Sequence, residues 1–237
     1  MSNPGRSGGR PTAKQNQRAL RHVVRDGIVR SIIHGELGPG HRLVEMSIAR
    51  EYGTSQGPVR EALRELEMLG FVTSSPHRGT YVRDPWQRGM LELYEVRAAL
   101  EDFATRIATP ELSQDVAPLQ EHIEAMSDAA ARDDVAGVVD HSERFHRTIL
   151  EASGNELLLG VWSGLGISDH TELTMIALSL DLALVGPSHQ PIVDAIAAGD
   201  PERAGQASRD HQAWFEDLLA TQTAGEPELE PAPEPAA

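Results

Sequence analysis

Hydrophobic positions in the first third of the 237-residue chain recur at helical spacing. In "LRHVVRDGIVRSIIHGEL" they fall at Leu20, Val23, Val24, Ile28, Ile32 and Ile33, the steps of one helix face. "GPGHRL" ends that helix and turns the chain. "VEMSIAREYG" predicts a short second helix stopped at Gly53. Thr54 or Ser55 is placed to cap a third that runs to about Leu69, with Gly70 at its C-terminal end. Leu63, Leu66 and Leu69 form the apolar side of this third helix. The pattern then changes, and "FVTSS" and "TYVRD" around "PHRG" read as two short strands and a turn. From Pro85 the helical period returns. Six helices are expected near 87–108, 111–132, 135–153, 155–179, 181–198 and 201–222. The breaks between them fall at Thr109-Pro110, Asp133-Asp134, Ser153-Gly154, near Leu180, and at Gly199-Asp200-Pro201. Short links make neighbouring helices antiparallel.

The expected fold class is therefore mainly α: a winged helix-turn-helix over residues 19–84, then an antiparallel bundle of six helices over 85–223. Residues 1–18, rich in Gly, Ser, Pro, Gln and Arg and without periodicity, read as a disordered basic arm. The Pro/Glu/Ala stretch at 224–237 reads as a disordered tail.

Charge divides the chain at the same place. Residues 1–88 carry 14 Lys and Arg against 8 Asp and Glu, whereas residues 89–237 carry 7 against 28. The net charge of −15 thus conceals a basic piece drawn to polyanions and an acidic piece that is not. There is no Cys, which removes disulfides and thiolate metal sites and fits a reducing compartment. The basic start has no apolar run after it, and no stretch of about 18 uninterrupted apolar residues occurs. A cytoplasmic, nucleoid-associated protein with no membrane partner is expected.

A helix N-terminus in the major groove reaches base edges, and its unpaired amides attract phosphate. Thr54, Ser55 and Gln56 lie at that end of the third helix. Gln56 has the groups to pair with adenine and Arg60 with guanine, while Arg64 lies one turn further, at phosphate distance. His77, Arg78 and Gly79 form the hairpin tip, and Arg42, before the second helix, completes the DNA-contact set. The alternative is an ordinary amphipathic helix in which Arg60 and Arg64 pair with Glu61, Glu65 or Glu67.

The stretch "IIHGELGPGHRLVEMSIAREYGTSQGPVREALRELEMLGFVTSSPHRGTYV" resembles the GntR family DNA-binding domain. The resemblance covers about 20–83 and rests on G-x-L-x-P-G-x-x-L, E-x-x-I-A, G-x-S-x-x-P-V-R-E-A-L-x-x-L and an R-G-x-x-V wing. Met46 and Gln56 stand where the family commonly has Arg, and the family's third DNA-reading Arg is present as Arg60. The acidic piece, through "LYEVRAALEDFATRIA", "FHRTILEASGN" and "SHQPIVDAIAAGDPERAGQASRDH", resembles the FCD class (FadR C-terminal domain), in its VanR-like branch.

That class implies an effector-binding and dimerisation bundle, often with a divalent metal on three His and one Asp. By position the His ligands fall on His146, His189 and His211. Ser142 occupies the place of the Asp or Asn. On a helix Ser142 lies about 40° from His146 and Glu143 about 60°, so a three-His site, a site helped by Glu143 and an empty site all stay open. Zn or Ni suits neutral imidazoles. Arg97 matches a pocket-facing Arg of the class, and either holds a carboxylate effector or pairs with Glu101 one turn on. His170 borders the pocket or is exposed, and His122 and His141 are expected on the solvated surface.

The function expected is a ligand-responsive transcriptional regulator without enzyme activity. It would repress as a homodimer on a palindromic operator in double-stranded DNA and be released by a small organic acid. The alternatives are a metal-dependent enzyme fused to a DNA-binding head, and a DNA-binding dimer with no effector.

Overall fold

A computed structural model describes residues 13–75, 78–84 and 89–223. The first twelve residues of the expected basic arm, His77 at the hairpin tip and the Pro/Glu tail lie outside these. The chain divides into two compact units, residues 1–85 and 86–237.

The first unit contains α1 (Ala13–Ile33), β1 (Arg42–Leu43), α2 (Glu45–Glu51), α3 (Gln56–Met68), β2 (Val72–Ser75) and β3 (Gly79–Val82). Residues 13–18, expected in the disordered arm, are instead the start of α1. "AKQNQR" is mostly good helix formers, so the helix extends upstream of its apolar face. The three strands form an antiparallel sheet in the order β1-β3-β2. Arg42 and Thr73 both stand opposite Tyr81. Val24, Ile28, Ile32 and Ile33 of the predicted face are buried with Val29, whereas Val23 is 55% exposed. They pack against Val59, Ala62, Leu63 and Leu66, and Phe71, Val72 and Val82 complete the core. Leu69 ends half-buried at the C-cap of α3.

The second unit is all-helical. It comprises α4 (Gly89–Leu112), α5 (Ala117–Ala130), α6 (Val135–Ala152), α7 (Glu156–Ser163), α8 (Ile167–Ala177), a 3-10 turn (Leu182–Leu184), α9 (Val185–Ser188), α10 (Gln190–Ala197) and α11 (Pro201–Thr223). Among the described residues each of the six expected spans is mainly helical, the second starting only at Ala117, and two subdivide. The 155–179 span breaks into α7 and α8 at Gly164-Leu165-Gly166, where Gly166 takes φ 63°. The 181–198 span becomes a 3-10 turn, α9 and α10, because Gly186, Pro187 and Pro191 interrupt it. The break expected at Thr109-Pro110 moves to residues 113–116. Pro110 sits in the last turn of α4, where only one backbone bond is lost. Asp134 caps α6 through the Gly137 amide (2.9 Å), and Asn155 caps α7 through the Leu158 amide (3.0 Å). Among the described residues no helix is long and apolar enough to cross a membrane.

Candidate DNA-reading surface and candidate metal centre

The first turn of α3 is open. Ser55 is its N-cap in extended conformation (φ −86°, ψ 169°), but its side chain makes no capping bond. The terminal amides are therefore left to an outside acceptor. Thr54 is half-buried, and Ser55, Gln56, Arg60 and Arg64 are exposed on the face opposite the Ala62–Leu66 core. Arg60 is paired, though with none of Glu61, Glu65 or Glu67. Its Nε and Nη2 meet Oε1 and Oε2 of Glu45 on α2 at 3.1 and 2.8 Å. That fork holds the Glu45 carboxyl below its usual range. Glu65 turns the other way, to Arg25 of α1 (3.0 Å), and Glu67 accepts the Ser74 amide (2.7 Å).

In the wing, Gly79 takes φ 109° beside the Arg42 guanidinium, whose Nε would lie 3.2 Å from a Cβ at that position. Arg78 is exposed and its carbonyl accepts the Tyr81 hydroxyl (2.9 Å). Arg42, Arg78 and Gly79 thus share one wing.

The second unit brings His146 (α6), His189 (between α9 and α10) and His211 (α11) together in its interior, 1%, 0% and 5% exposed. Their ring centroids are 5.2 Å (His146–His189), 5.2 Å (His146–His211) and 4.1 Å (His189–His211) apart. One ring nitrogen from each lies within 4.8 Å of the other two. Phe145 packs edge-on to His146 and His189, and Phe215 edge-on to His211.

The tautomers follow from the partners. His189 Nδ1 lies 2.8 Å from the Val185 carbonyl, which can only accept, so Nδ1 carries the proton. The Ser188 hydroxyl donates to that same carbonyl (2.6 Å) and therefore accepts from His211 Nδ1 (3.3 Å). His146 Nδ1 lies 3.1 Å from Glu101 Oε2, off the line of a hydrogen bond, and a lone pair there would face a carboxylate. Each ring thus keeps its proton on Nδ1 and its lone pair on Nε2.

Burial is the largest cause holding all three below the usual histidine range, His189 down to about 4 against the Val185 bond that raises it. The nearby Arg97 charge acts in the same direction as burial on each. Three neutral, clustered imidazoles fit a divalent ion of the zinc or nickel kind. His146 Nε2, buried and without a hydrogen-bond partner among the described residues, is the atom such an ion would satisfy.

Of the two possible helpers, the structure brings Ser142 to the cluster, with Oγ 3.4 Å from His189 Nε2. Glu143 is held elsewhere, by Arg147 (2.6 Å) and the Ser168 hydroxyl. Arg97 is 3% exposed and does pair with Glu101, Nε to Oε1 at 3.2 Å, and it donates from Nη1 to Thr171 Oγ1 (3.3 Å). Those bonds use two of its five N–H donors. Glu101 also accepts Trp162 Nε1 (2.7 Å) and Gln212 Nε2 (2.5 Å). His170 is buried with Nδ1 2.8 Å from the Gly166 carbonyl, and it is the next residue, Thr171, that reaches Arg97. His122 and His141, expected on the solvated surface, are half-buried and face each other at 5.8 Å.

Sequence reasoning missed Thr171, Trp162, Gln212 and Ser188. No motif marks them, because each joins the site through contacts across the fold.

A winged helix with an open, polar first turn, and a helical unit with a buried ion-ready cluster, define a DNA-binding regulator with a sensory domain. Residues 20–82 match the bacterial regulatory proteins of the gntR family, and residues 92–213 match the FCD domain. The chain is 41% identical over 192 residues to the "Probable D-xylose utilization operon transcriptional repressor" of Paenarthrobacter nicotinovorans, spanning 81% of this chain and 85% of that one. It is 29% identical over 148 residues to the regulator McbR of Escherichia coli, 62% and 67% of the two chains. Among solved structures, E. coli McbR/YncC superposes with a TM-score of 0.65 at 23% identity, over 86% of this chain and 98% of that one. A GntR regulator from Rhodococcus sp. RHA1 gives 0.65 at 24%, over 90% and 99%. These two likenesses carry the fold. The chain belongs to the GntR family, with an FCD domain, and is a ligand-responsive DNA-binding transcriptional regulator rather than an enzyme.

Proposed function

We propose that the protein represses transcription as a homodimer on a palindromic operator, and that a small hydroxylated carboxylate, held at a divalent metal centre, releases it. The observation that carries the sensory half is the convergence of three buried, neutral imidazoles close to the buried guanidinium of Arg97. His146, His189 and His211 hold the ion, of zinc or nickel type, with Ser142 beside them. When bound, the ion supplies a Lewis-acid partner for one ligand oxygen. Arg97 offers its remaining N–H groups to the carboxylate. Gln212 Oε1 and Ser208 Oγ are buried without hydrogen-bond partners among the described residues, and ligand hydroxyls would satisfy them. The repressor relative named for D-xylose utilisation supports repression and points to a sugar-derived acid.

In the DNA-binding half, the amides, Thr54 and Ser55 at the start of α3 meet phosphate. Gln56 and Arg60 read base edges, with Arg64 and the wing residues Arg42, Arg78 and Gly79 on the backbone. Two-fold protein symmetry matches a two-fold operator. Release is a population shift, which requires the acid to bind the DNA-free arrangement more tightly.

Fluorescence anisotropy with labelled DNA from the promoter regions flanking the gene tests this. Zinc-loaded protein should form a discrete complex that hydroxy acids dissociate and neutral D-xylose does not. Release by the sugar alone would sink the carboxylate reading. An identical response after chelation would sink the metal reading.

A further inference from the structure

We infer that Glu101 is the positioning residue shared by both halves of this site: its carboxylate fixes the His146 tautomer toward the ion and the Arg97 guanidinium toward the ligand. The inference rests on the metal-and-carboxylate reading only for what these two groups are positioned toward.

The donors around Glu101 give the physical reason. Arg97 Nε, Trp162 Nε1 and Gln212 Nε2 can only donate, and all three end on its two oxygens. Glu101 is 1% exposed, so the three donors meet it away from bulk water, and an acceptor-only carboxylate satisfies the arrangement. His146 Nδ1 stands 3.1 Å from Oε2, the oxygen that also takes Gln212; the contact is off the line of a hydrogen bond, so the carboxylate acts on the ring through its charge.

The other two imidazoles do not depend on Glu101. His189 is oriented by the carbonyl four residues earlier in its own segment and His211 by Ser188, both contributed by α9. His146 has no such local anchor, and Glu101 is the acceptor placed to keep its proton on Nδ1 and its lone pair on Nε2. The same carboxylate takes Arg97 by the inner Nε, so the guanidinium is held at its stem while Thr171 takes one terminal nitrogen. One side chain from α4 therefore orients both the α6 ligand and the anion-binding group, as outer carboxylates do for ligating histidines elsewhere.

The discriminating variant is Glu101→Gln, which keeps the shape but leaves one acceptor oxygen for three donors. Its amide N–H2 would then face either a donor or His146 Nδ1. In the second case the imidazole proton moves to Nε2, where it blocks the ion.

Nitrogen-15 spectra of histidine-labelled, metal-free protein at pH 7.5 read the tautomers directly. The wild-type chain should show His146 protonated on Nδ1, and Glu101→Gln should shift His146 toward Nε2 while His189 and His211 stay as they are. In chelator competition, zinc affinity should fall roughly 10- to 100-fold in Glu101→Gln. Glu101→Asp, which retains the charge, should fall between the two. A wild-type His146 already protonated on Nε2 overturns the inference without any variant. An unchanged tautomer in Glu101→Gln also overturns it. A Glu101-dependent tautomer in a protein that binds no zinc would instead remove the metal reading and leave the positioning role standing.

Discussion

Metal-stripped protein should lose stability steeply between pH 7.5 and 5, because its core holds three imidazoles neutral. For His189 the size can be worked out. Its pKa falls from 6.5 to about 4 in the folded chain, mainly through complete burial. At about 1.4 kcal/mol per unit, the full difference is about 3 kcal/mol. The unfolded chain takes up the proton first, so this stability is whole above pH 6.5 and drains away as the pH falls towards 4. Integrated from pH 7.5 to 5, His189 alone accounts for about 2 kcal/mol. His146 and His211 are displaced in the same direction, chiefly by burial, and deepen the loss. Two carboxyls bound the effect. Asp102 is pushed up by burial but held low on balance by Arg209 and Arg106, so it titrates below this window. Glu216, raised by burial and by Glu95 and Asp217, opposes the trend weakly. Urea unfolding in chelator, followed by tryptophan emission, should show the midpoint fall by ~1 M or more over this range, for a slope of about 2 kcal/mol/M. His189→Gln should flatten part of that dependence. A midpoint that does not move, or a variant with the full wild-type slope, would refute the burial of neutral imidazoles.

Arg60→Ala should weaken operator binding by about 1–3 kcal/mol while weakening binding to random DNA much less; equal losses in the two anisotropy titrations would deny Arg60 a base-reading role. His211→Ala should abolish most of the zinc retained after purification, as measured by elemental analysis, and unchanged content would mean that the triad is not the site. Gly186→Ala should lower the thermal midpoint of the bundle, because a Cβ there would lie 2.8 Å from Ser127 Oγ and 3.1 Å from the Ile123 carbonyl. Overpacking of this kind costs about 1–3 kcal/mol, and an unchanged midpoint would show that α9 does not sit so tightly on α5.

The winged helix was legible because its signals are local. Helical spacing, the Gly53 and Gly70 stops and the two short strands all lie within a few residues of what they specify. What escaped was β1, two residues whose strand character exists only through pairing with Thr80 and Tyr81 of β3. The partner of Arg60 escaped for the same reason. Near neighbours on α3 were the obvious candidates, but Glu65 faces α1 and Glu67 holds the start of the wing, which leaves the guanidinium to Glu45 on another helix. In the bundle, the spans were readable from period and the interruptions only in part. Gly164 and Gly166 lie inside an otherwise helical pattern, and it is the left-handed turn at Gly166 that separates α7 from α8.

For the site, the positions of His146, His189 and His211 came from resemblance, and their spacing along the chain agrees with neighbouring helices meeting in the interior. Their chemistry did not come from spacing. His189 lies at a helix junction created by Gly186, Pro187 and Pro191, and that junction supplies the Val185 carbonyl and the Ser188 hydroxyl that set two of the three tautomers. A sequence rule that reads Pro and Gly as breaks sees an uncertain boundary there, whereas the fold uses the break to seat one imidazole and to supply the partner of another. Arg97 and Glu101 illustrate the opposite case. Their four-residue spacing made the pair readable, and the pair formed, but the reading treated partnership with Glu101 and service to a ligand as rivals. In the bundle they are compatible: the carboxylate takes the inner Nε, and the guanidinium keeps N–H groups that neither Glu101 nor Thr171 uses. A buried ion pair is therefore weak evidence against a binding role when its geometry occupies only one edge of the arginine.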